Sequence, residues 1–202
     1  IHSLNNDIYS IHQYDKAISI SFAVQKDVQM RGGGETEIIY NGIHVDNIKI
    51  KPSHHLTDKI TIVQVGRLEH EKKGQDVLLH ALHLLHTEKN LPLFSVDFIG
   101  EGKSLSMLQA LSQELKLNDY VRFIGNVSRE WIYEHLQTYD IFVQPSRAEG
   151  FGLTVAEAMA AQVPVIVTDN DGPSEIICNG KYGFVFQKDN PSHLEIGRAS
   201  CR

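Results

Sequence analysis

Residues 60–100 read ITIVQVGRLEHEKKGQDVLLHALHLLHTEKNLPLFSVDFIG. An apolar, β-branched run (60–65) comes first, then a loop holding a glycine and several cations. A stretch of helical periodicity (75–88) follows, and then a second apolar run (94–99). Continuous apolar strands on either side of a helix of this length form a βαβ unit, whose parallel strands are buried on both faces. On the helix, Leu78, Ala81, Leu82 and Leu85 make one apolar stripe, as 3.6 residues per turn requires.

The same alternation continues to the end of the chain. Strands are expected at 121–124, 141–143 and 165–167, with helices at 104–115, 129–137, 153–161 and 173–178. Five strands in this arrangement predict an α/β, doubly wound, Rossmann-like parallel sheet. Ligands of such sheets sit beyond the carboxyl ends of the strands, so the loops after residues 65, 99, 124, 143 and 167 are the ones to read for chemistry. Before residue 60 the texture differs. A strand (17–20), a helix (22–30), a glycine turn (31–34) and a strand (37–40) precede a polar stretch containing Pro52 and paired histidines. Residues 1–43 are therefore assigned to a different domain, 44–59 to a linker and 60–194 to the sheet domain.

Composition bounds the function. Of 202 residues, 42% are hydrophobic and 22% charged, which suffices for one globular core. The net charge of −6 has no long single-sign runs and gives no reason to expect a nucleic-acid partner. No apolar run is long enough for a transmembrane segment, which leaves peripheral membrane contact open. The first residue is Ile1, and the last eight, EIGRASCR (195–202), resemble a translated sequencing adapter. The chain is thus expected to be a fragment with a non-native tail. Without the tail, Cys178 is its single cysteine, which suits a reducing, cytoplasmic setting. Cys178 itself, beside Ile176 and Ile177, is expected to be a small buried residue.

Two loops carry chemistry. After the first strand, Gly66, Arg67 and Lys73 place a forked donor and a point charge where phosphate oxygens could bind. After the fourth, EGFGLTVAEAMA (149–160) leads through Gly150 and Gly152 into a helix whose first amides can face an anion. Glu149 precedes this helix and Glu157 lies inside it. Carboxylates flanking amide donors suit a ligand with both phosphates and hydroxyls. The neighbours Val155, Ala156, Ala158 and Ala160 mark a buried helix, so a solvated-surface role explains Glu157 poorly. By contrast, His80, His83 and His86 fall opposite the apolar stripe, face solvent and lack a fourth ligand, so they are not read as a metal site. Trp131 and Tyr133 are read as helix packing.

These motifs resemble the retaining GT-B glycosyltransferases of glycosyltransferase family four. Glu149 and Glu157 match the family's E-x7-E signature. VGRLEHEKKGQDVLLHAL (65–82), FIGEG (98–102), VRFIGNVSREWIYEHL (121–136), YDIFVQPS (139–146) and TEIIYNGIHVD (36–46) resemble further family segments in the right order. The resemblance implies that the sheet domain is a C-terminal donor domain and residues 1–43 a remnant of the acceptor domain. It implies that Arg67 and Lys73 stabilise the donor's diphosphate, and that Glu149 with the amides of Gly150, Phe151, Gly152 and Leu153 holds the transferred sugar. It further implies that Glu157 holds the ribose, and that Ile124 and Gly125 lie along the base. No cofactor and no metal are expected. The implied partners are a UDP- or GDP-linked sugar and a saccharide or lipid-linked saccharide acceptor in bacterial polysaccharide biosynthesis. The fragment alone is expected to be inactive. A non-catalytic nucleotide-sugar-binding module and a sugar-nucleotide epimerase are the alternatives, and the full signature speaks against the latter. A phosphorylase is disfavoured because no pyridoxal-binding lysine context is present. The segment DGPSE (171–175) departs from the paired glycines common in relatives and is left unassigned.

Overall fold

The computed structural model describes residues 14–53, 59–87, 93–169 and 172–194. A two-stranded parallel sheet, β1 (Ile18–Ser19) and β2 (Glu37–Ile38), brackets helix α1 (Phe22–Met30). The main sheet follows: β3 (Lys59–Val65), β4 (Leu93–Ile99), β5 (Val121–Gly125), β6 (Ile141–Gln144), β7 (Val165–Thr168) and β8 (Phe184–Phe186). Between its strands run α2 (His70–Lys73), α3 (Gln75–Thr87), α4 (Leu105–Glu114), α5 (Arg129–His135), α6 (Leu153–Ala160) and α7 (Gly172–Ile176). All six strands are parallel, in the order β5-β4-β3-β6-β7-β8. The order reverses between β3 and β6, which opens a crevice above their carboxyl ends.

The core is double because strand side chains alternate between the two faces. Ile60, Ile62, Val96 and Phe98 pack on one face with Leu78 and Leu82 of α3 and Leu108 of α4. Val63, Val65, Phe142, Val165 and Val167 pack on the other with Tyr133 of α5 and Val155 and Ala158 of α6. Every residue of β6 and β7 is buried, as central strands covered on both sides must be.

The structure departs from the sequence reading in several places. A sixth strand, β8, extends the sheet past β7. It is only three residues long, and Phe184 stays half exposed, so its apolar signal is short. The basic loop after β3 contains α2, one helical turn that ends at Gly74 in the left-handed conformation (φ 61°). An alanine Cβ there would lie 1.9 Å from the carbonyl oxygen of Pro145, so the turn sits directly on the chain entering the second loop.

The segment read as a linker is strapped to the sheet domain over residues 48–51. Ile48 is buried, the Lys49 and Lys51 amides donate to the Tyr133 and Ala161 carbonyls at 3.0 Å, and the Lys51 ammonium lies 3.1 Å from Asp140. Cys178, expected to be buried, is exposed. Helix α7 ends at Ile176, and the left-handed turn at Cys178 (φ 49°) sends Ile177 inward and leaves the thiol outside. His80 and His86 are exposed as expected, whereas His83 is partly covered, with Nδ1 3.1 Å from the Leu115 carbonyl oxygen. Paired histidines 54 and 55, Asp171 and the 195–202 tail lie outside the described residues. Among the described residues, no helix is long and apolar enough to cross a membrane.

Candidate functional site

A cleft of about 150 Å³ opens above β3 and β6. Its floor is Val65, Gly66 and Gln144, the ends of those two strands and the start of a loop. One wall is Lys73 at the end of α2, and the other runs from Glu149 through Phe151 and Gly152 to Leu153 and Thr154. Asn41, just after β2, reaches over from the amino-terminal segment.

Six residues singled out in the sequence thus meet in one place: Gly66, Lys73, Glu149, Phe151, Gly152 and Leu153. Lys73 and Glu149 form an ion pair across the cleft, with side chains 21% and 16% exposed. Helix α6 begins at Leu153, and Gly152 before it has no side chain to cap the first amides. The Val155 and Ala156 amides donate to the Gly152 carbonyl (3.0 and 3.2 Å), so those of Leu153 and Thr154, at the positive end of the helix dipole, are the ones available to an anion in the cleft. The carbonyls preceding the helix are already used: Glu149 accepts from the Gly172 amide (3.0 Å) and Gly150 from the Ser21 hydroxyl (2.6 Å). Gly172 approaches so closely that an added Cβ would lie 2.4 Å from the Gly150 oxygen. The Glu175 carboxylate accepts from the Phe22 and Ala23 amides at the start of α1 (2.9 and 2.6 Å), which fixes the amino-terminal segment against the same loop.

Other predicted residues lie outside this cleft. The Arg67 side chain is 75% exposed, with its nearest carboxylate, Glu69, 4.0 Å away. Ile124 and Gly125 close β5, two strands from β3 and three from β6. Glu157 is 5% exposed on the inner side of α6, and its Oε1 accepts the Tyr133 hydroxyl at 3.2 Å. The carboxylate is therefore not wholly free for a ligand, and Tyr133 is a partner of the site as well as a packing residue. Burial pushes the Glu157 pKa above its ordinary 4.5, while Tyr133 and the charge of Arg129 pull it partway back.

That shift has a consequence for stability. A carboxyl whose folded pKa is raised favours folding most when protonated, below about pH 4.5. This contribution is lost as the pH rises through the elevated value, leaving a buried charge that costs stability at neutral pH. Glu157→Gln is therefore expected to raise the melting temperature at pH 7, with the gain vanishing at pH 4. A gain that persists unchanged at pH 4 would assign it to packing instead.

Sequence reasoning missed Asn41, Gln144 and Thr154. Gln144 had a signal: an amide ending the apolar run of β6, fully buried, with Nε2 donating to Ser146 (2.7 Å). Among the described residues, no group of three or more His, Cys, Asp and Glu is placed to hold a metal ion.

A family model for "Glycosyl transferases group 1" matches residues 46–197. Over 144 residues the chain is 30% identical to the GDP-mannose-dependent alpha-(1-6)-phosphatidylinositol monomannoside mannosyltransferase of Mycolicibacterium smegmatis, covering 68% of this chain and 37% of that protein. It is 26% identical to the capsular polysaccharide biosynthesis glycosyltransferase CapM of Staphylococcus aureus, covering 86% and 45%. Among solved structures, Anabaena Alr3699/HepE in complex with UDP and glucose superposes with a TM-score of 0.79 at 23% identity, over 92% of this chain and 52% of that one. Sucrose-phosphate synthase from Thermosynechococcus elongatus gives 0.81 at 22% identity, over 96% and 50%. These structural likenesses concern the fold, and the chain spans half or less of the length of the two curated relatives.

Proposed function

The chain belongs to the group 1 glycosyl transferases, and from that premise we propose that its cleft binds a nucleotide-diphosphate sugar for transfer to an acceptor. The observation that carries this reading is the meeting of Lys73, Glu149 and the uncapped start of α6 in one cleft. A diphosphate needs fixed positive charge and oriented amides, and a sugar needs an acceptor of hydroxyl hydrogens. This cleft offers all three within one ligand's length.

In the proposed complex, Lys73 leaves Glu149 for the phosphates, and Arg67 swings in from solvent to join it. Both cations, with the α6 amides, stabilise charge as it builds on the departing nucleoside diphosphate. Glu149, released from Lys73, accepts hydroxyls of the sugar held against the amides of Gly150 to Leu153. Glu157 accepts from the ribose, and Ile124 and Gly125 flank the base. We further propose transfer with retention of configuration and without a metal, because the two cations and the helix terminus supply the charge stabilisation. The donor is UDP- or GDP-linked, and the acceptor is a saccharide or lipid-linked saccharide on the cytoplasmic side of polysaccharide assembly. The names of the relatives, one GDP-mannose-dependent and one capsular, support this choice.

A thermal-shift panel of UDP-, GDP- and ADP-sugars tests the reading. A ligand that binds only the folded state at about a hundred times its Kd stabilises by about 2.7 kcal/mol. A clear rise in melting temperature is expected with a UDP- or GDP-sugar, and unchanged when EDTA is present. No shift with any nucleotide sugar would overturn the assignment.

A further inference from the structure

We propose that Arg147 is a positioning residue that holds the Lys73 loop and the Glu149 loop in register; the idea rests on the donor-site reading above. Arg147 lies two residues before Glu149, yet its guanidinium turns away from the cleft and is consumed by protein groups. Nη1 donates to the His70 carbonyl (2.6 Å) and to Asp76 Oδ1 (2.7 Å), Nη2 to Asp76 Oδ2 (2.8 Å), and Nε to Asp189 Oδ1 (2.5 Å). His70 and Asp76 bracket Lys73: the first opens α2, and the second lies in the first turn of α3. Asp189 comes from the loop after β8.

The backbone makes the same connection. The amides of Arg147 and Ala148 both donate to the carbonyl of Lys72 (2.8 and 3.1 Å). Beneath them, Gly74 packs on the Pro145 carbonyl with no room for a side-chain carbon. Lys73 is thus the one residue of this turn whose side chain enters the cleft, while its neighbours on both sides are fastened to the loop that carries Glu149.

The chemistry favours arginine here. A planar fork can meet both oxygens of Asp76 and still present Nε elsewhere, whereas a lysine ammonium cannot reproduce that geometry. The Arg147 side chain is 25% exposed and that of Asp76 21%, so the pair is better shielded than a surface ion pair. Burial pushes the Asp76 carboxyl up, but the hydrogen bonds and charge of Arg147 outweigh it and hold the pKa below the ordinary value. Lysine has a long, flexible stem, so its Nζ is placed only as well as its backbone is. The clasp supplies that placement.

The test is a double-mutant cycle on this chain. Binding of UDP or GDP, whichever the unmodified chain takes up, is measured by calorimetry for Lys73→Ala, Arg147→Met and the double variant. Arg147→Met is expected to weaken binding about tenfold, roughly 1.4 kcal/mol. In the Lys73→Ala background the same change is expected to cost less than about twofold, because residues coupled through one contact are not additive. Asp76→Asn, which leaves the arginine in place, is expected to weaken binding in the same direction and to add little to Arg147→Met. It carries the test if Arg147→Met fails to melt cooperatively. Arg147→Lys is expected to recover little. Equal losses in both backgrounds, or full recovery with lysine, would overturn the positioning role alone. Unimpaired binding by Lys73→Ala would instead overturn the donor-site assignment of Lys73, and the proposal with it.

Discussion

Replacing Lys73 by alanine is expected to weaken nucleoside-diphosphate binding by ten- to a hundredfold. A charge-assisted hydrogen bond contributes about 1.5–3 kcal/mol, and each 1.4 kcal/mol is about tenfold in affinity. Two features of the structure act on this figure in opposite directions. Lys73 is already paired with Glu149, so binding exchanges one anionic partner for another and the net gain is smaller than in an unpaired site. Removing Lys73, however, leaves the poorly exposed Glu149 carboxylate facing the phosphates without a counter-charge. Like-charge repulsion inside a cleft is screened less than at the surface. The second effect should place the loss nearer a hundredfold, and Glu149→Gln in the Lys73→Ala background should restore part of it. Arg67→Ala should cost less, because the largely exposed Arg67 side chain must be ordered before it can contribute. Calorimetry with the diphosphate and with the bare sugar checks this, and an equal loss for both ligands would mean Lys73 does not meet the phosphates.

The sheet was legible because its signal is dense. The strands β3, β4, β6 and β7 are apolar runs with strongly buried interiors, and α3 carries a repeating stripe, so period and length agree. What escaped has physical causes. Strand β8 has three residues, and α2 is a single turn inside a charged loop, too short for a period to show. The exposure of Cys178 depends on a left-handed turn that apolar neighbours do not betray. At the site, the Glu149 loop and Lys73 were readable as residue types at a strand's carboxyl end. Their pairing, the hydroxyl of Tyr133 on Glu157, and the clasp of Arg147 on Asp76 were not, because each joins residues 24 to 76 apart in sequence that only the folded chain brings together.

The two glutamates of the signature should respond differently to the same amide substitution. Glu149 faces the open cleft beside Lys73, in the place proposed for the sugar, whereas Glu157 is buried on α6 beneath the proposed ribose. Glu149→Gln should therefore spare the bare nucleotide and weaken the complete nucleotide sugar. It frees Lys73 from its partner, so affinity for the unsubstituted diphosphate should even rise slightly. Glu157→Gln keeps the shape and the Tyr133 contact but loses the ionised acceptor. Hydrogen bonds to a charged group exceed neutral ones by about 1 kcal/mol each, so two ribose hydroxyls correspond to roughly ten- to thirtyfold. The loss should accompany the higher melting temperature expected at neutral pH, since a buried charge kept for binding costs the fold. Calorimetric titration of a nucleoside diphosphate into the Glu157→Gln variant tests the account most directly. The account predicts at least tenfold weaker binding by a protein that melts higher at pH 7; unchanged affinity would show that Glu157 belongs to the helix rather than to a ligand.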